Sequence, residues 1–365
     1  MRCFSLSALI ACSLLFSQDA LADRILKVDG TSLDDVSVTK EGLLEVEYKS
    51  ASGRTAKTVP TQEVLRVVYE KLPEQIDSAE TAMVDEMYLG AVNDLQEFLS
   101  RFSEKPPRTF PWAVPYARYR LMTVYESMGS QADVVAAADE VLAKSADSRY
   151  AILAHIAKIE ALNLMGQTDA LPGAVKAFSD FVTTNSLPSR WRLEAELRGV
   201  LYGSKKSGAE RRTALDQVVK AAGKEAPIVR NRAIVAIGES FVTERNIVEA
   251  RKNFEKVIED PKADALTLAA AYSGLGDCIF QVASKKLESG QDAKAELTEA
   301  SLAFLRVVVL YPDQIQYRPR AMFYAGRSLQ LMGDEENVTR AKTLYARLIR
   351  TFPDSKAAKE ARGVR

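Results

Sequence analysis

The sequence predicts a mostly α-helical protein, an α-solenoid of stacked helix pairs preceded by a small β-rich module. Three observations support this fold class. Small and bulky apolar residues recur at the spacing of antiparallel helix pairs over most of the chain. Short runs of alternating apolar and polar residues come before them. With 47% hydrophobic and 27% charged residues, the composition is that of an ordered protein and is too apolar for a disordered one.

Residues 1–22 predict a secretory signal peptide. Arg2 precedes an apolar run over residues 4–16, and Ala20-Leu21-Ala22 places small residues where a signal peptidase needs them. We therefore expect cleavage after Ala22 and an exported, periplasmic protein. The alternative is a lipoprotein acylated at Cys12, because Leu9-Ile10-Ala11-Cys12 resembles a lipobox. Apolar residues continue beyond Cys12, which favours the cleaved form.

Residues 23–72 predict the β-rich module, with the character of an SH3-like half-barrel. Five runs have the period of a strand: residues 25–28, 36–39, 43–48, 56–59 and 64–69. Leu44, Val46 and Tyr48 alternate with charged residues, so one face is expected to be buried and the other wet. A module of this size has a thin core. We expect it to pack against the helix that follows, an amphipathic helix predicted over residues 78–102.

The helical part repeats one motif. Within residues 234–261, Gly238 and Ala250 are small enough to let two antiparallel helices meet, while Phe241 and Phe254 fill the wedge between them. The same pattern recurs twice, and about six helix pairs are predicted over residues 115–355, followed by a basic C-terminal tail at 356–365. The residues assigned to packing between repeats are Gly238, Phe241, Ala250, Phe254, Pro261, Gly276, Ala300, Phe304, Pro312, Gly326, Ala341, Tyr345 and Pro353.

This pattern resembles the tetratricopeptide repeat, W-x₂-L-G-x₂-Y…A-x₃-F…P. The resemblance implies that the pairs stack on one another and that the first helices line a concave surface that binds protein segments. Residues 341–355 also resemble an element of bacterial envelope proteins, among them the helical lipoprotein of the outer-membrane barrel-assembly machinery and a periplasmic division-coordinating protein. This second resemblance implies a scaffold that binds a protein or peptide partner of the cell envelope. A lipoprotein component of an outer-membrane assembly complex is the alternative.

The concave surface implied by the resemblance supplies the candidate binding residues. Partner contacts are expected from Tyr116, Tyr119, Arg232, Arg320, Phe323 and Arg327, with Glu239 on the same face. Arg320 and Arg327 are nearly aligned along one helix, which suggests a clamp for a carboxylate-bearing peptide. Alternatively, the two tyrosines pack beside Trp112 and the arginines are solvated. A glycan-binding module is a further alternative if Trp112 and the tyrosines share an exposed plane.

The sequence offers no constellation for catalysis, for a cofactor or for a metal. His155 is the single histidine, which excludes a His-rich metal site. Cys278 is the one cysteine beyond the leader, and we expect it to be buried. Basic and acidic residues number 49 each, so there is no electrostatic footprint for nucleic acid. We expect a non-catalytic scaffold without a transmembrane helix in the mature chain, and an enzyme with an accessory repeat domain is the weaker alternative.

Overall fold

The computed structural model describes residues 22–50, 53, 55–102, 105–203, 207–353 and 355–364. The signal peptide and Cys12 fall within residues 1–21, outside the described residues, so both predictions about processing stay predictions. From Asp23 onward the described chain forms a small antiparallel sheet followed by paired helices. This arrangement confirms the predicted fold class.

The β module is one antiparallel sheet. Its strands within the described residues are β1 (Asp23–Lys27), β2 (Ser32–Glu41), β3 (Glu45–Ser50), β4 (Ala56–Pro60) and β5 (Val64–Val68). They lie in the order β4-β3-β2-β1-β5, because a 3₁₀ turn over Thr61–Glu63 returns β5 to the side of β1. Valines and Ile25 fill the buried face, as the alternation predicts. All five predicted strands are present.

The helices follow the sheet. The described ones are α1 (Glu74–Val84), α2 (Tyr88–Phe102), α3 (Ala113–Met128), α4 (Gln131–Lys144), α5 (Tyr150–Leu164), α6 (Leu171–Thr184), α7 (Ser189–Arg198), α8 (Gly208–Ala222), α9 (Pro227–Thr243), α10 (Ile247–Ile258), α11 (Ala265–Glu288), α12 (Lys294–Leu310), α13 (Arg318–Met332), α14 (Glu335–Thr351) and α15 (Lys356–Gly363). A π-helical turn over Gly199–Gly203 extends α7. The six pairs predicted over residues 115–355 correspond to α3–α4, α5–α6, α7–α8, α9–α10, α11–α12 and α13–α14.

Glycines mark where the two helices of a pair touch. A Cβ added to Gly238 would lie 2.8 Å from the ring of Phe254, and one added to Gly326 would lie 2.6 Å from the ring of Tyr345. Gly276 meets Phe304 in the same way. Such contacts leave no room for a side chain, so these glycines and rings lie directly against one another between the two helices. Ala250, Ala300 and Ala341 are buried beside them.

Three residues assigned to packing have another role. Pro261, Pro312 and Pro353 are exposed, and each comes two or three residues after the end of α10, α12 or α14. They end these helices, because proline cannot continue one. Phe241 does pack against the cores on either side of α9, and the guanidinium of Arg212 lies 4.3 Å from the centre of its ring.

The single amphipathic helix predicted over 78–102 is wrong. The chain forms two helices there, α1 and α2, which pack against each other as an additional pair before the predicted array. The break falls at Glu86, whose φ of 59° is left-handed and cannot belong to a helix. Apolar residues continue at helical spacing on both sides of the break, which is why the sequence pattern concealed it.

The basic C-terminal segment predicted at 356–365 forms a helix over most of its length. Residues 356–363 form α15, which begins where the Ser355 hydroxyl accepts a hydrogen bond from the backbone of Ala358. Ala358 and Ala361 are buried against the last pair, and the basic side chains point outward. The helix therefore caps the apolar end of the array, as terminal elements of repeat proteins do.

One described helix, α11, is long and apolar enough to cross a membrane by length and composition, because an 18-residue stretch of it has a mean hydropathy of 1.2. Half of that stretch is buried inside the protein. It packs against α9, α10 and α12, as a central helix of a repeat array does. Cys278 of α11 is buried, and burial raises the pKa of its thiol to about 12.

Candidate binding surface inside the helical array

Charged side chains connect the first helices of successive pairs. Arg198 of α7 lies 3.2 Å from Glu160 of α5 and 2.8 Å from Glu194 of its own helix. Arg232 of α9 also binds Glu194, at 2.6 Å. Arg320 of α13 donates to both carboxylate oxygens of Asp277 of α11, at 2.6 and 2.7 Å. We call these residues, together with Glu126 of α3 and Glu239 of α9, the inner strip.

The array curves around the inner strip. Arg318 of α13 lies 3.6 Å from Glu86, which sits between α1 and α2, so the last pair reaches back to the first. Burial raises the pKa of Tyr317, and the carboxylates of Glu239 and Glu160 raise it further. The Tyr317 ring at the start of α13 therefore faces carboxylates from α9 and α5 across the interior.

The register of the helices explains which carboxylates are paired. Glu239 and Asp277 each directly follow the glycine at the helix contact. Asp277 is paired with Arg320, which comes six residues before the contact glycine of its own helix. The equivalent residue of α11 is Ala270. Glu239 therefore has no arginine at the corresponding position, and among the described residues it has no ion pair or side-chain hydrogen bond.

Two carboxylates of the strip have raised pKa values. Burial raises the pKa of Glu239 to about 7, partly opposed by the positive charge of Arg211. Burial, followed by the charge of Glu160, raises the pKa of Glu126 to about 7 as well. The Glu239 residue is exposed, and Glu126 is half-buried. Neither glutamate has an ion-pair partner within the described part of the chain.

Three predicted binding residues lie on α9 and α13, and two of them, Arg232 and Arg320, belong to this strip. Arg232 bridges Glu194 and Asp264, and so connects α7 to the start of α11. Arg320 is held by Asp277 and lies 4.6 Å from the centre of the Tyr324 ring. Arg327 is half-buried and donates to the side chain of Gln330 at 3.0 Å. Because Arg320 is already neutralised, the predicted clamp for a carboxylate-bearing peptide is not formed.

Phe323 is not a surface residue, which corrects its assignment to partner binding. It is 8% exposed and lies in the core shared with α14, with its ring 6.0 Å from that of Tyr345. Its position three residues after Arg320 turns it toward α14 instead of the interior. Sequence spacing placed it near the right face but could not decide between the two sides of the helix.

Tyr116 and Tyr119 lie where the solenoid meets the β module. The Tyr116 hydroxyl donates to Glu80 at 2.9 Å, and its ring packs edge-on against Trp112. Tyr119 stacks on Tyr150 at 4.6 Å. Trp112 is 5% exposed and stands at 87° to Tyr116, so these rings share no exposed plane. The arrangement agrees with the alternative that the tyrosines pack beside Trp112, and the stated condition for glycan binding is not met.

A buried carboxylate joins the β module to the solenoid. Glu41 at the end of β2 is 5% exposed and accepts hydrogen bonds from the hydroxyls of Tyr69 and Tyr150. The guanidinium of Arg149 completes an ion pair with it. We call these four residues the junction cluster. Sequence reasoning missed Glu41, because it reads as one more polar residue in an alternating strand and its main partners lie over 100 residues away.

His155 belongs to the core of the α5–α6 pair. It is 8% exposed and packs against the rings of Phe178 and Phe181. Among the described residues, no group of three or more His, Cys, Asp or Glu is placed to hold a metal ion.

We expect the imidazole of His155 to titrate at a pH well below the ordinary pKa of histidine. Burial, followed by the positive charge of Lys158, lowers its pKa from 6.5 to about 4. As the pH falls through this interval the unfolded chain takes up a proton that the native imidazole does not, so this histidine lowers stability on acidification. The imidazole NMR signal, unambiguous in a protein with one histidine, should show a midpoint near 4. A midpoint near 6.5 would contradict the buried position.

Sequence reasoning missed most of the inner strip, including Glu126, Glu160, Glu194, Arg198 and Asp277. One signal was available. The residue that follows each contact glycine is charged at three successive places, namely Glu239, Asp277 and Arg327.

Comparison with known proteins shows that one repeat of this chain matches a known family. Residues 320–355 match the family described as tetratricopeptide repeat, so α13 and α14 form a tetratricopeptide repeat. No curated protein matches the chain.

Three solved structures that resemble this chain are remote from it in sequence. They include a tetratricopeptide repeat protein from Parabacteroides merdae, with 11% identity, a TM-score of 0.40 and coverage of 79% of this chain and 96% of that one. The C-terminal part of a repeat protein from Cytophaga hutchinsonii has 15% identity, a TM-score of 0.33 and coverage of 78% and 98%. The apo quorum sensor NprR from B. thuringiensis has 12% identity, a TM-score of 0.39 and coverage of 80% of each chain. At these values none of them indicates what this chain binds.

Proposed function

We propose that this protein is a non-catalytic scaffold of the bacterial cell envelope that binds a basic segment of another protein inside its helical array. The observation that carries the proposal is the pair of inner-strip carboxylates, Glu126 and Glu239, which have no ion-pair partner among the described residues and whose pKa values are raised. A carboxylate whose charged form is disfavoured by its surroundings gains from a nearby charge of opposite sign. A lysine or arginine from a bound segment would supply that partner.

The chemistry of the proposed partner differs from the one the sequence suggested. A carboxylate-bearing peptide would meet Arg320, whose guanidinium is already bound by Asp277. A basic segment instead meets the unpaired carboxylates of Glu126 on α3 and Glu239 on α9. The tetratricopeptide repeat at residues 320–355 supports the role of a protein-binding scaffold.

The test uses the full mature chain and a fluorescein-labelled octa-arginine peptide. Replacing Glu126 and Glu239 by glutamine should weaken binding at pH 8 by tenfold or more, measured by fluorescence anisotropy. The wild-type protein should also bind less well at pH 6 than at pH 8, because carboxyls with pKa values of about 7 are neutral at the lower pH.

The matched control replaces Glu210 and Glu225 by glutamine. Both are exposed, and neither has an ion pair among the described residues. If the control weakened binding as much as the test variant, the effect would come from net charge alone, and the proposal would be overturned. Affinity capture from an envelope extract with the same two variants then identifies the natural partner by mass spectrometry.

We also propose that the chain is exported and cleaved after Ala22, on the basis of the apolar run and the small residues before Asp23. The intact mass of the protein purified for the binding test reports this directly. A chain that begins at an acylated Cys12 would replace the soluble scaffold by a lipoprotein.

A further inference from the structure

A groove of about 680 Å³ lies between the β module and the solenoid, separate from the inner strip. One wall is the turn from β2 to β3, and the other is formed by the α4–α5 connection and by α6. We call it the junction groove. Its volume is within the range of sites that hold small ligands or a few residues of a peptide.

The floor of the junction groove is apolar. Leu43, Leu44 and Phe181 contribute to its lining. Leu44 is 48% exposed, and the other two side chains are half-buried. An exposed leucine beside two partly covered apolar side chains, inside a concave surface, is suited to receive an aliphatic side chain from a partner.

The rim of the groove is charged and predominantly acidic. Glu45, Glu47 and Asp147 lie around the apolar floor, with Lys40 as the one basic residue in its lining. None of these four side chains forms an ion pair with another of the described residues. The rim therefore has a net negative charge that is not compensated within the described part of the protein, and a cationic group would complement it.

The groove is held rigid by the junction cluster. Lys40 and Gly42 lie on either side of Glu41, and Asp147 lies two residues before Arg149. Gly42 also pairs with Ser148 in an isolated β-bridge, and the backbone N–H of Arg149 donates to the carbonyl of Glu41 at 3.2 Å. The backbone of each wall is therefore held in place next to the residues that line the groove. A site formed in advance loses less entropy when it binds.

We propose that the junction groove binds a peptide segment in which a leucine-sized aliphatic side chain lies between lysine or arginine residues. The aliphatic side chain occupies the floor made by Leu43, Leu44 and Phe181. The flanking cations meet Glu45, Glu47 and Asp147 at the rim. This site shares no residue with the inner strip and does not depend on the function proposed for it.

The test titrates the full mature chain with an acetylated Gly-Lys-Leu-Lys-Gly amide and follows the leucine methyl signals by NMR. The methyl signals of Leu43 and Leu44 should shift in a saturable way. Two comparison peptides, Gly-Glu-Leu-Glu-Gly and Gly-Lys-Ser-Lys-Gly in the same blocked form, should bind at least tenfold more weakly. The absence of any shift at Leu43 and Leu44 at high concentrations of the first peptide would overturn the proposal.

Matched variants separate the groove from general surface effects. Leu44→Ser should weaken binding at least tenfold, with Leu43 as the reporter, whereas Leu65→Ser should not, although Leu65 is similarly exposed, at 54%, on β5 of the same module. Charge reversal by Glu45→Lys with Asp147→Lys should weaken binding by a similar factor, and Glu70→Lys should leave it unchanged. Equal losses in test and control variants would show that the groove is not the site. The variant lacking Glu126 and Glu239 should bind the peptide normally, whatever its effect on the interior.

Discussion

Replacing Glu41 by alanine is expected to lower the free energy of unfolding by about 3 to 5 kcal/mol, the range found when one partner of a buried ion pair is removed. The variant leaves the guanidinium of Arg149 buried without its carboxylate, and it leaves the hydroxyls of Tyr69 and Tyr150 without their acceptor. Chemical denaturation followed by circular dichroism measures the loss. In a Trp191→Phe background, which removes the other tryptophan, fluorescence of Trp112, which stacks on Tyr69, reports whether the junction itself opens first.

A second ion pair of the β module provides the control. Lys27 and Glu63 are 3.2 Å apart, with side chains 21% and 44% exposed. Glu63→Ala should cost about 1 kcal/mol or less, because water screens an exposed pair. If Glu41→Ala cost no more than this control, the junction cluster would have no special part in holding the β module on the solenoid.

The second large effect is expected at Gly238. Gly238→Leu would place a side chain where even a Cβ lies 2.8 Å from the Phe254 ring. Overpacking of this kind costs about 1 to 3 kcal/mol or more, and here the ring has little room to move, because Gly274 of α11 also packs closely against it. Thermal unfolding followed by circular dichroism should shift clearly to lower temperature.

Gly173 of α6 is the matched control for this change. It is also a helical glycine, but a Cβ added there would meet nothing within 4 Å. Gly173→Leu should leave stability unchanged or raise it by up to about 1 kcal/mol, since leucine forms helices better than glycine. Similar destabilisation at both positions would mean that helix propensity, and not the contact with Phe254, sets the outcome.

Local patterns were sufficient for much of the fold. The five strands followed from alternation that repeats every second residue. The strongest helix pairs followed from glycine and alanine at the contacts, with Phe254, Phe304 and Tyr345 between them. These features are encoded within a few tens of residues, because each repeat buries its own wedge of apolar side chains in the same way. The break at Glu86 escaped detection, because nothing in the apolar spacing of its neighbours distinguishes one long helix from two that fold back on each other.

The candidate sites depended on contacts between distant parts of the chain. Sequence alone placed Arg320 on the correct helix. Its ion-pair partner Asp277 comes from the preceding helix pair, and because Arg320 is bound by Asp277 it does not form the predicted clamp. The burial of Phe323 was decided by the position of α14.

The sequence by itself thus determined the strands, the helix pairs and the glycines where helices touch, because those features follow from the period of local structure and from the space available within one pair. Tertiary structure alone decided that Glu41 joins the β module to the solenoid, that Glu239 lacks the arginine that Asp277 has, and that a groove opens between the two parts. The physical reason is that the solvation and pairing of a charge depend on the groups that folding brings around it, and these groups lie tens to more than a hundred residues away along the chain.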